Sequence, residues 1–475
     1  MTRLPLAVAA AVAGAALLAG CGSVIDGRPV SIYDNPFTVA GLPATDGPSG
    51  PRPDAPPSTL AVRGADGSAA DTLATNAVDD ITAFWRSTYP HAFAGTFRPV
   101  TDLVSWDPDV APAESGTFCG DNTHGVINAG YCTGDGSIGW DRTSLLPALM
   151  DTFGPMSVVM VMAHEYGHAV QHDSGLAGDD DPTLVLEQQA DCFAGAYMRY
   201  VAAGDSAHFT LNTSDGLNSV MAAMVAVRDI DPSDPESVHG SAFERVTAFQ
   251  MGFTDGARAC TAIDEAEVEG RRAQLPQQFT TAADTGETPV TEQTVQMTVD
   301  SLQSLFALTD PPRVEFAGAD TGCPDAHSTE PVSYCPATNT IGVSMPDLVE
   351  RGTPHAGDPN DLSTDIRGDF GAYVLVASRY TLAVQRAAGD SLTDPKTALR
   401  AACLSGAWTA ATAVGQAGRL SLSPGDLDEA ASGLLTDGLM ASDVDGVTVP
   451  SGFARVDAFR SGVLGGREAC ANRYG

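Results

Sequence analysis

Lysine is nearly absent from this chain: Lys396 is the only one among 475 residues. Arginine raises the cationic total to 25, against 60 acidic side chains, for a net charge of -35. A surface of that sign repels phosphate backbones and anionic headgroups, which argues against a nucleic-acid partner and against electrostatic docking on a membrane. The sequence also lacks a glycine-rich phosphate loop and a serine-based triad. Beyond the N-terminal segment, no apolar run reaches the roughly 20 residues needed to span a bilayer. What is present is an apolar fraction of 43%, enough for real cores, on a length that suggests two to three domains.

The N-terminus reads as an export signal. Arg3 precedes an apolar, small-residue run from Leu4 to Leu18, and Leu18-Ala19-Gly20-Cys21 resembles the bacterial lipobox. That resemblance implies a signal peptide over 1–21, a lipidated Cys21 and a mature chain anchored outside the cytoplasm. An ordinary secretory signal and a short membrane helix are the alternatives. Residues 22–71 are rich in Pro, Gly, Asp and Ser and are expected to form a disordered tether. Setting Cys21 aside, eight cysteines remain, an even number that in an exported protein implies disulfides.

The rest of the chain is written twice. The segment from Phe243 to Cys260 aligns without a gap to the segment from Phe453 to Cys470, and half of the aligned positions are identical. In the same order, Tyr131-Cys132 matches Tyr334-Cys335, and Ala163 to Gln171 matches Ala377 to Gln385. Ala190-Asp191-Cys192 matches Ala401-Ala402-Cys403, and Val78-Asp79 matches Val299-Asp300. Two similar domains are expected, over 72–280 and 290–475, of an α+β class dominated by helix. Equivalent pairing within each copy predicts four disulfides: Cys119–Cys132, Cys192–Cys260, Cys323–Cys335 and Cys403–Cys470. Helices are expected over 72–88, over 155–172, from an Asp181-Pro182 start to about Val201, and over 241–258. Short strands are expected between 97 and 141.

The chemistry concentrates in the first copy. His164-Glu165-Tyr166-Gly167-His168 places two histidines four residues apart on one helix face, about 6 Å apart along the axis. Both rings can then reach one Zn²⁺ at roughly 2.0–2.1 Å. Glu165 lies about 100° round the helix, near the metal without being a ligand. On the next helix Glu187 and Asp191 are again four apart. Glu187 suits a third ligand, and Asp191 suits an acceptor for a histidine ring N–H. Read alone, the two acids are equally a solvated helix face.

These residues resemble the metal site of thermolysin-like peptidases. More closely, His164 to His168, Gln188 to Gly195, and His239-Gly240-Ser241 with Arg245, Phe249 and Gly252 resemble the bacterial neutral zinc metallopeptidase family. The resemblance covers most of the first copy and implies a zincin-like fold, bound zinc, Glu165 as general base and a peptide or protein substrate. His239 is then either a donor to the developing oxyanion or an ordinary histidine. The second copy has Ser378, Arg379, Leu382, Ala398 and Ala402 where the first has His164, Glu165, His168, Glu187 and Asp191, and Val449 opposite His239. A competing expectation is therefore a non-catalytic surface lipoprotein whose tandem units bind a partner. Asp179 to Asp181 suit a Ca²⁺ site or, more simply, a solvated loop, and His124 and His172 a structural or exposed role. Substrate specificity and oligomeric state are not encoded in these motifs.

Overall fold

Small and branched apolar residues at helical spacing dominate both copies, and the structure turns those stretches into long packed helices. The computed structural model describes residues 38–178, 181–228, 239–272, 275–276, 286–354, 362–416 and 420–475. All of them belong to one compact unit. The helices of the first half are α1 (Ala69–Ala92), α2 (Leu145–Phe153), α3 (Pro155–Ser174), α4 (Thr183–Ala202), α5 (Asp215–Ala226), α6 (Ala242–Asp255), α7 (Ala257–Cys260) and α8 (Glu265–Arg272). Those of the second are α9 (Glu292–Phe306), α10 (Met345–Arg351), α11 (Asp369–Ala388), α12 (Pro395–Ala413), α13 (Asp426–Leu435) and α14 (Gly452–Tyr474). The expected class, α+β and mainly helical, holds. No helix among the described residues is long and apolar enough to cross a membrane.

Each half opens on a helix and a small sheet. Strands β1 (Thr38–Val39), β2 (Leu42–Pro43) and β3 (Gly50–Pro51) precede β4 (Val62–Arg63), β5 (Leu103–Trp106), β6 (Thr117–Phe118), β7 (Asp121–Asn122), β8 (Ala129–Tyr131) and β9 (Ile138–Asp141). The main sheet has the order β4-β5-β9-β8, with only β8 antiparallel to its neighbour. After β10 (Phe209–Thr210), the second half has β11 (Arg313–Glu315), β12 (Val332–Cys335) and β13 (Thr340–Val343), in the order β11-β13-β12. Again the first pair is parallel and the second antiparallel. Even the register repeats, since Tyr131 faces Ile138 and Tyr334 faces Ile341.

The residues kept in both halves have structural work in each. Tyr166 shares a 2.9 Å hydrogen bond with Thr82 on α1, and Tyr380 donates to Gln303 on α9 at 2.6 Å. Gln171 donates to the Leu186 carbonyl, and Gln385 to that of Thr397, each crossing to the next helix. A Cβ on Gly195 would collide with the carbonyl of Phe249, and one on Gly252 with that of Cys192. Gly406 and Gly462 stand in the same relation to Phe459 and Cys403. Glycine thus lets α4 approach α6, and α12 approach α14, backbone to backbone. All four disulfides pair as the repeat predicts, with S–S distances of 2.07 Å. The bend before the last cysteine of each half falls on Gly256 (φ 78°) and Gly466 (φ 61°), in the left-handed region where a side chain is strained.

Three expectations need correction. The expected tether, 22–71, is not a tether from residue 38 onward. Val39 and Leu42 are buried, β3 pairs with β10, and Thr45, Gly47 and Ser49 exchange hydrogen bonds with Asn212, Thr213 and Ser214. A polar segment with no core of its own is held here by side-chain and backbone groups of a neighbour. Residues 22–37 lie outside the described residues. Helix α1 also starts earlier than expected, capped by Ser68. Pro182, not Asp181, holds the N-cap position of α4, while exposed Asp181 accepts the Gly178 N–H at 2.7 Å.

The halves meet through side chains from both. Gln250 on α6 donates to the Phe453 carbonyl at 2.9 Å, and the Phe253 and Phe453 rings lie 4.9 Å apart. Asn218 accepts from the Gly452 N–H at 2.6 Å. Asp428 on α13 accepts the Phe243 N–H in the first turn of α6 at 2.9 Å. Substituting Gly252→Ala forces the α4 and α6 backbones apart. It should cost about 1–3 kcal/mol, as overpacking does, and lower Tm by several degrees in a thermal scan.

Candidate metal centre

The site forms where α3 crosses α4. A Cβ on Gly167 would sit 3.0 Å from the Ala190 Cα, so the helices touch one residue before His168. That approach brings Glu187 against both histidines. The donor atoms of His164, His168 and Glu187 all lie within 4.8 Å of one another. His164 Nε2 is 3.2 Å from His168 Nε2 and 3.1 Å from Glu187 Oε2. His168 Nε2 is 3.5 Å from Glu187 Oε1.

The surrounding hydrogen bonds set which ring nitrogen carries hydrogen. His164 Nδ1 lies 2.8 Å from Asp191 Oδ1, a carboxylate with no exposure. Asp191 also takes a two-pronged contact from Arg245, Nε and Nη2 each at 2.9 Å, while Arg245 Nη1 donates to the Val227 carbonyl at 2.7 Å. His168 Nδ1 lies 2.9 Å from Gln171 Oε1. The Gln171 amide nitrogen is committed to the carbonyl of Leu186 at 2.6 Å and to Gln189 Oε1 at 2.9 Å, so its oxygen faces the ring. Both Nδ1 atoms are therefore donors. In the neutral rings both Nε2 atoms are bare lone pairs, turned toward each other and toward a carboxylate. Three acceptors with no donor among them call for a cation at their centre.

The electrostatics express the same demand for positive charge as an affinity for a proton. Burial presses the His164 imidazole down, but the Asp191 carboxylate and then Glu187 outweigh it and lift the group to about 10. Burial raises Glu187, yet hydrogen bonds from His164 and His168 hold it far below the usual carboxylate range. Asp191 is likewise lowered against burial, by Arg245 first and His164 second. Glu165 goes the other way: burial pushes its carboxyl up, and the two histidines offset this only in part.

Glu165 is half-buried and lines a cleft of about 240 Å³ with His164, His239 and Arg245. The cleft's other wall is apolar, with Leu145, Leu149 and Met160. His239 stands at its rim, Nε2 3.8 Å from Glu187 Oε2 and its side chain 44% exposed. Of the five residues expected at the site, His164 and Glu165 line this cleft with His239, and His168, Glu187 and Asp191 lie directly against His164. His124 and His172 are exposed and outside it. Asp179, Asp180 and Cys21 lie outside the described residues.

No protein-family model matches the chain, and no solved structure matches it. Two proteins of Mycobacterium tuberculosis, from strains CDC 1551 and H37Rv, and one of Mycobacterium bovis are each 30% identical to it over 206 residues. All three are described as uncharacterized. The match covers 38% of this chain and 65% of each relative's length.

Sequence reasoning missed what Gln171 and Gln189 do and what Arg245 pairs with. Gln171 and Arg245 recur in the second half as Gln385 and Arg455, which marks them as framework, but not as holders of a ring or an acid. The second half shows the site undone. Arg379, in place of Glu165, is fully buried, its guanidinium donating to the Leu439 and Asp443 carbonyls and to Ser442 Oγ. Arg455, facing Ala402 where Arg245 faces Asp191, turns to the Leu434 and Val449 carbonyls. Substituting Asp191→Asn leaves shape intact but removes the charge that fixes His164. Metal affinity, measured by competition with a chromophoric chelator, should fall about 10–100-fold.

Proposed function

We propose that the chain is a zinc-dependent metallopeptidase that hydrolyses peptide bonds outside the cytoplasm. In this reading the first half is a zincin-like domain, and the second is a copy of it without the metal site. The observation that carries the proposal is the convergence of one carboxylate and two Nε2 atoms, each ring held at its Nδ1 by its own partner. The 3.2 Å between the two Nε2 atoms and the 3.1 Å from His164 Nε2 to Glu187 Oε2 fit the edges of a tetrahedron, about 3.3 Å, around an ion bonded at 2.0–2.1 Å, and the other carboxylate oxygen, Oε1, lies 3.5 Å from His168 Nε2. Two nitrogens and one carboxylate, with a fourth direction open to a cleft, are the donor set of catalytic zinc.

Bound there, zinc supplies Lewis acidity for the scissile carbonyl and a water acidified toward neutral pH. The chain's own residues do the rest. Glu165, in the cleft and not among the ligands, takes a proton at its carboxylate and returns it to the leaving nitrogen. Its raised affinity for a proton, a consequence of burial, suits a group that must hold one between the two steps. His239 at the rim is placed to donate to the developing oxyanion. The apolar wall of the cleft suits a hydrophobic side chain of a peptide or protein. Four disulfides support an oxidising, extracytoplasmic location, consistent with anchoring through lipid on Cys21. The acidic chain has no nucleic-acid role in this scheme.

Purified wild type should contain one zinc per chain by elemental mass spectrometry and cleave peptides in a proteome-derived library. The Glu165→Gln variant should keep its zinc and lose roughly 10²–10⁴-fold in turnover. The His164→Ala variant should lose the metal as well. A wild type that takes up no zinc at saturating supply would point instead to a non-catalytic binding module, and full activity in Glu165→Gln would remove the base assignment.

A further inference from the structure

Behind His168, two buried amides and a backbone carbonyl stand in line. Gln171 on α3 is 1% exposed, Gln189 on α4 is 4% exposed, and Ile263, between α7 and α8, is fully buried. Gln189 Nε2 donates to the Ile263 carbonyl at 2.7 Å. Gln189 Oε1 accepts from Gln171 Nε2 at 2.9 Å, and Gln171 Oε1 lies 2.9 Å from His168 Nδ1.

The direction of this row is fixed at its far end. A backbone carbonyl can only accept, so Gln189 turns its nitrogen to Ile263 and its oxygen to Gln171. Gln171 meets that oxygen and the Leu186 carbonyl, the latter at 2.6 Å. Its nitrogen therefore serves both, and its own oxygen faces the ring. The ring is left with N–H at Nδ1 and a lone pair at Nε2. Reversing one amide would set like groups against each other where no water can repair the mismatch, which burial makes costly. The far end is itself tied down: Ile263 N–H donates to the Cys260 carbonyl at 3.2 Å, and Cys260 is bonded to Cys192, one turn beyond Gln189 on α4.

The second half makes the same contact with opposite polarity. In the repeat, Arg400 on α12 stands at the position of Gln189, and Leu382 at that of His168. Gln385 Nε2 donates to the Thr397 carbonyl at 3.3 Å, as Gln171 does to that of Leu186. Arg400 Nη1, however, donates to Gln385 Oε1 at 3.3 Å, while its Nε reaches the Tyr474 carbonyl at 2.9 Å, much as Gln189 reaches Ile263. A guanidinium has donors and no acceptor, so it takes the amide oxygen that the first half reserves for a ring. Leu382 has no use for that oxygen. The helix pair packs with either residue, and only a histidine that needs an acceptor tells them apart.

We propose that Gln189 is a positioning residue for the metal. Its oxygen keeps the Gln171 oxygen on His168, and so keeps the His168 Nε2 lone pair available to an ion. The inference rests on the reading of the site as a zinc centre, and it extends the control of His168 from its immediate partner to the Ile263 carbonyl, two amides away. The role belongs to the acceptor at position 189 and not to the volume of the side chain. Gln189→Glu keeps an acceptor toward Gln171 and, when protonated, a donor toward Ile263. Gln189→Met keeps the length and loses both. Gln189→Arg copies the second half.

The test measures zinc affinity of the full chain by competition with a chromophoric chelator, and the His168 ring by ¹⁵N NMR in the zinc-free protein at a pH where the ring is neutral. Affinity should fall about 10–100-fold in Gln189→Met and Gln189→Arg and stay near wild type in Gln189→Glu. The ring should carry its hydrogen on Nδ1 in wild type and Gln189→Glu, and show mixed tautomers in Gln189→Met. The ring signal needs neither zinc nor turnover, so it decides the role of Gln189 even if the chain takes up no zinc, a result that would sink the peptidase reading instead. A wild-type ring signal and wild-type affinity in Gln189→Met, or a loss in Gln189→Glu as large as in Gln189→Met, would overturn the proposal.

Discussion

One buried carboxylate ties the first half together. Asp191 has no exposure, sits on α4, and meets a ring from α3 and a guanidinium from α6. A lone buried anion would be expelled or protonated, so each partner is a condition of the other's position. Take away Arg245 and Asp191 has an uncompensated charge. Take away Asp191 and His164 loses the contact that turns its Nε2 toward His168 and Glu187. The ion pair is weak evidence for stability in its own right, but it sets the direction of a lone pair, and the proposed metal chemistry depends on that direction.

The second half performs the corresponding experiment. It keeps the Tyr hydroxyl tie to the first helix, the Gln tie between central helices, the paired glycine contacts and both disulfides. All of these close the chain on itself without reference to a metal. It carries Ala402 where Asp191 would stand, and Arg455 turns to carbonyl oxygens without disturbing the helix it is on. In this fold, then, the demands of packing and the demands of the site fall largely on separate residues, with Gln171 serving both. A buried Arg379 where the base would be shows how far the vacated space has been refilled.

That separation explains what could be read from sequence. The grouping of His164, His168 and Glu187 was legible because residues four apart on a helix share a face, and that spacing can be read directly. The disulfides were legible because the repeat removed the ambiguity of pairing. The helix-rich class followed from long stretches at one period. The segment from residue 38 was not legible: its order comes from hydrogen bonds to Asn212, Thr213 and Ser214, far away in sequence, and composition reports only the absence of a core. Gln171 was equally opaque, because a glutamine that orients a histidine and one that ties two helices carry the same letter.

A polar link also runs from the second half to the candidate site. Asp428 of that half accepts the N–H of Phe243 in the first turn of α6, a turn whose amides have no partner within the helix. Burial raises Asp428 to about 6, so the cap is held at a cost that its contacts, with Arg228 nearby at 3.7 Å, must offset. Two residues beyond Phe243, on the same helix, is Arg245. Between the second half and the proposed zinc ligands there are thus three polar links in series: Asp428 to α6, Arg245 to Asp191, Asp191 to His164. Only the first of them reaches outside the first half. The second half thus caps the helix that carries Arg245, and through Arg245 and Asp191 it bears on the position of His164.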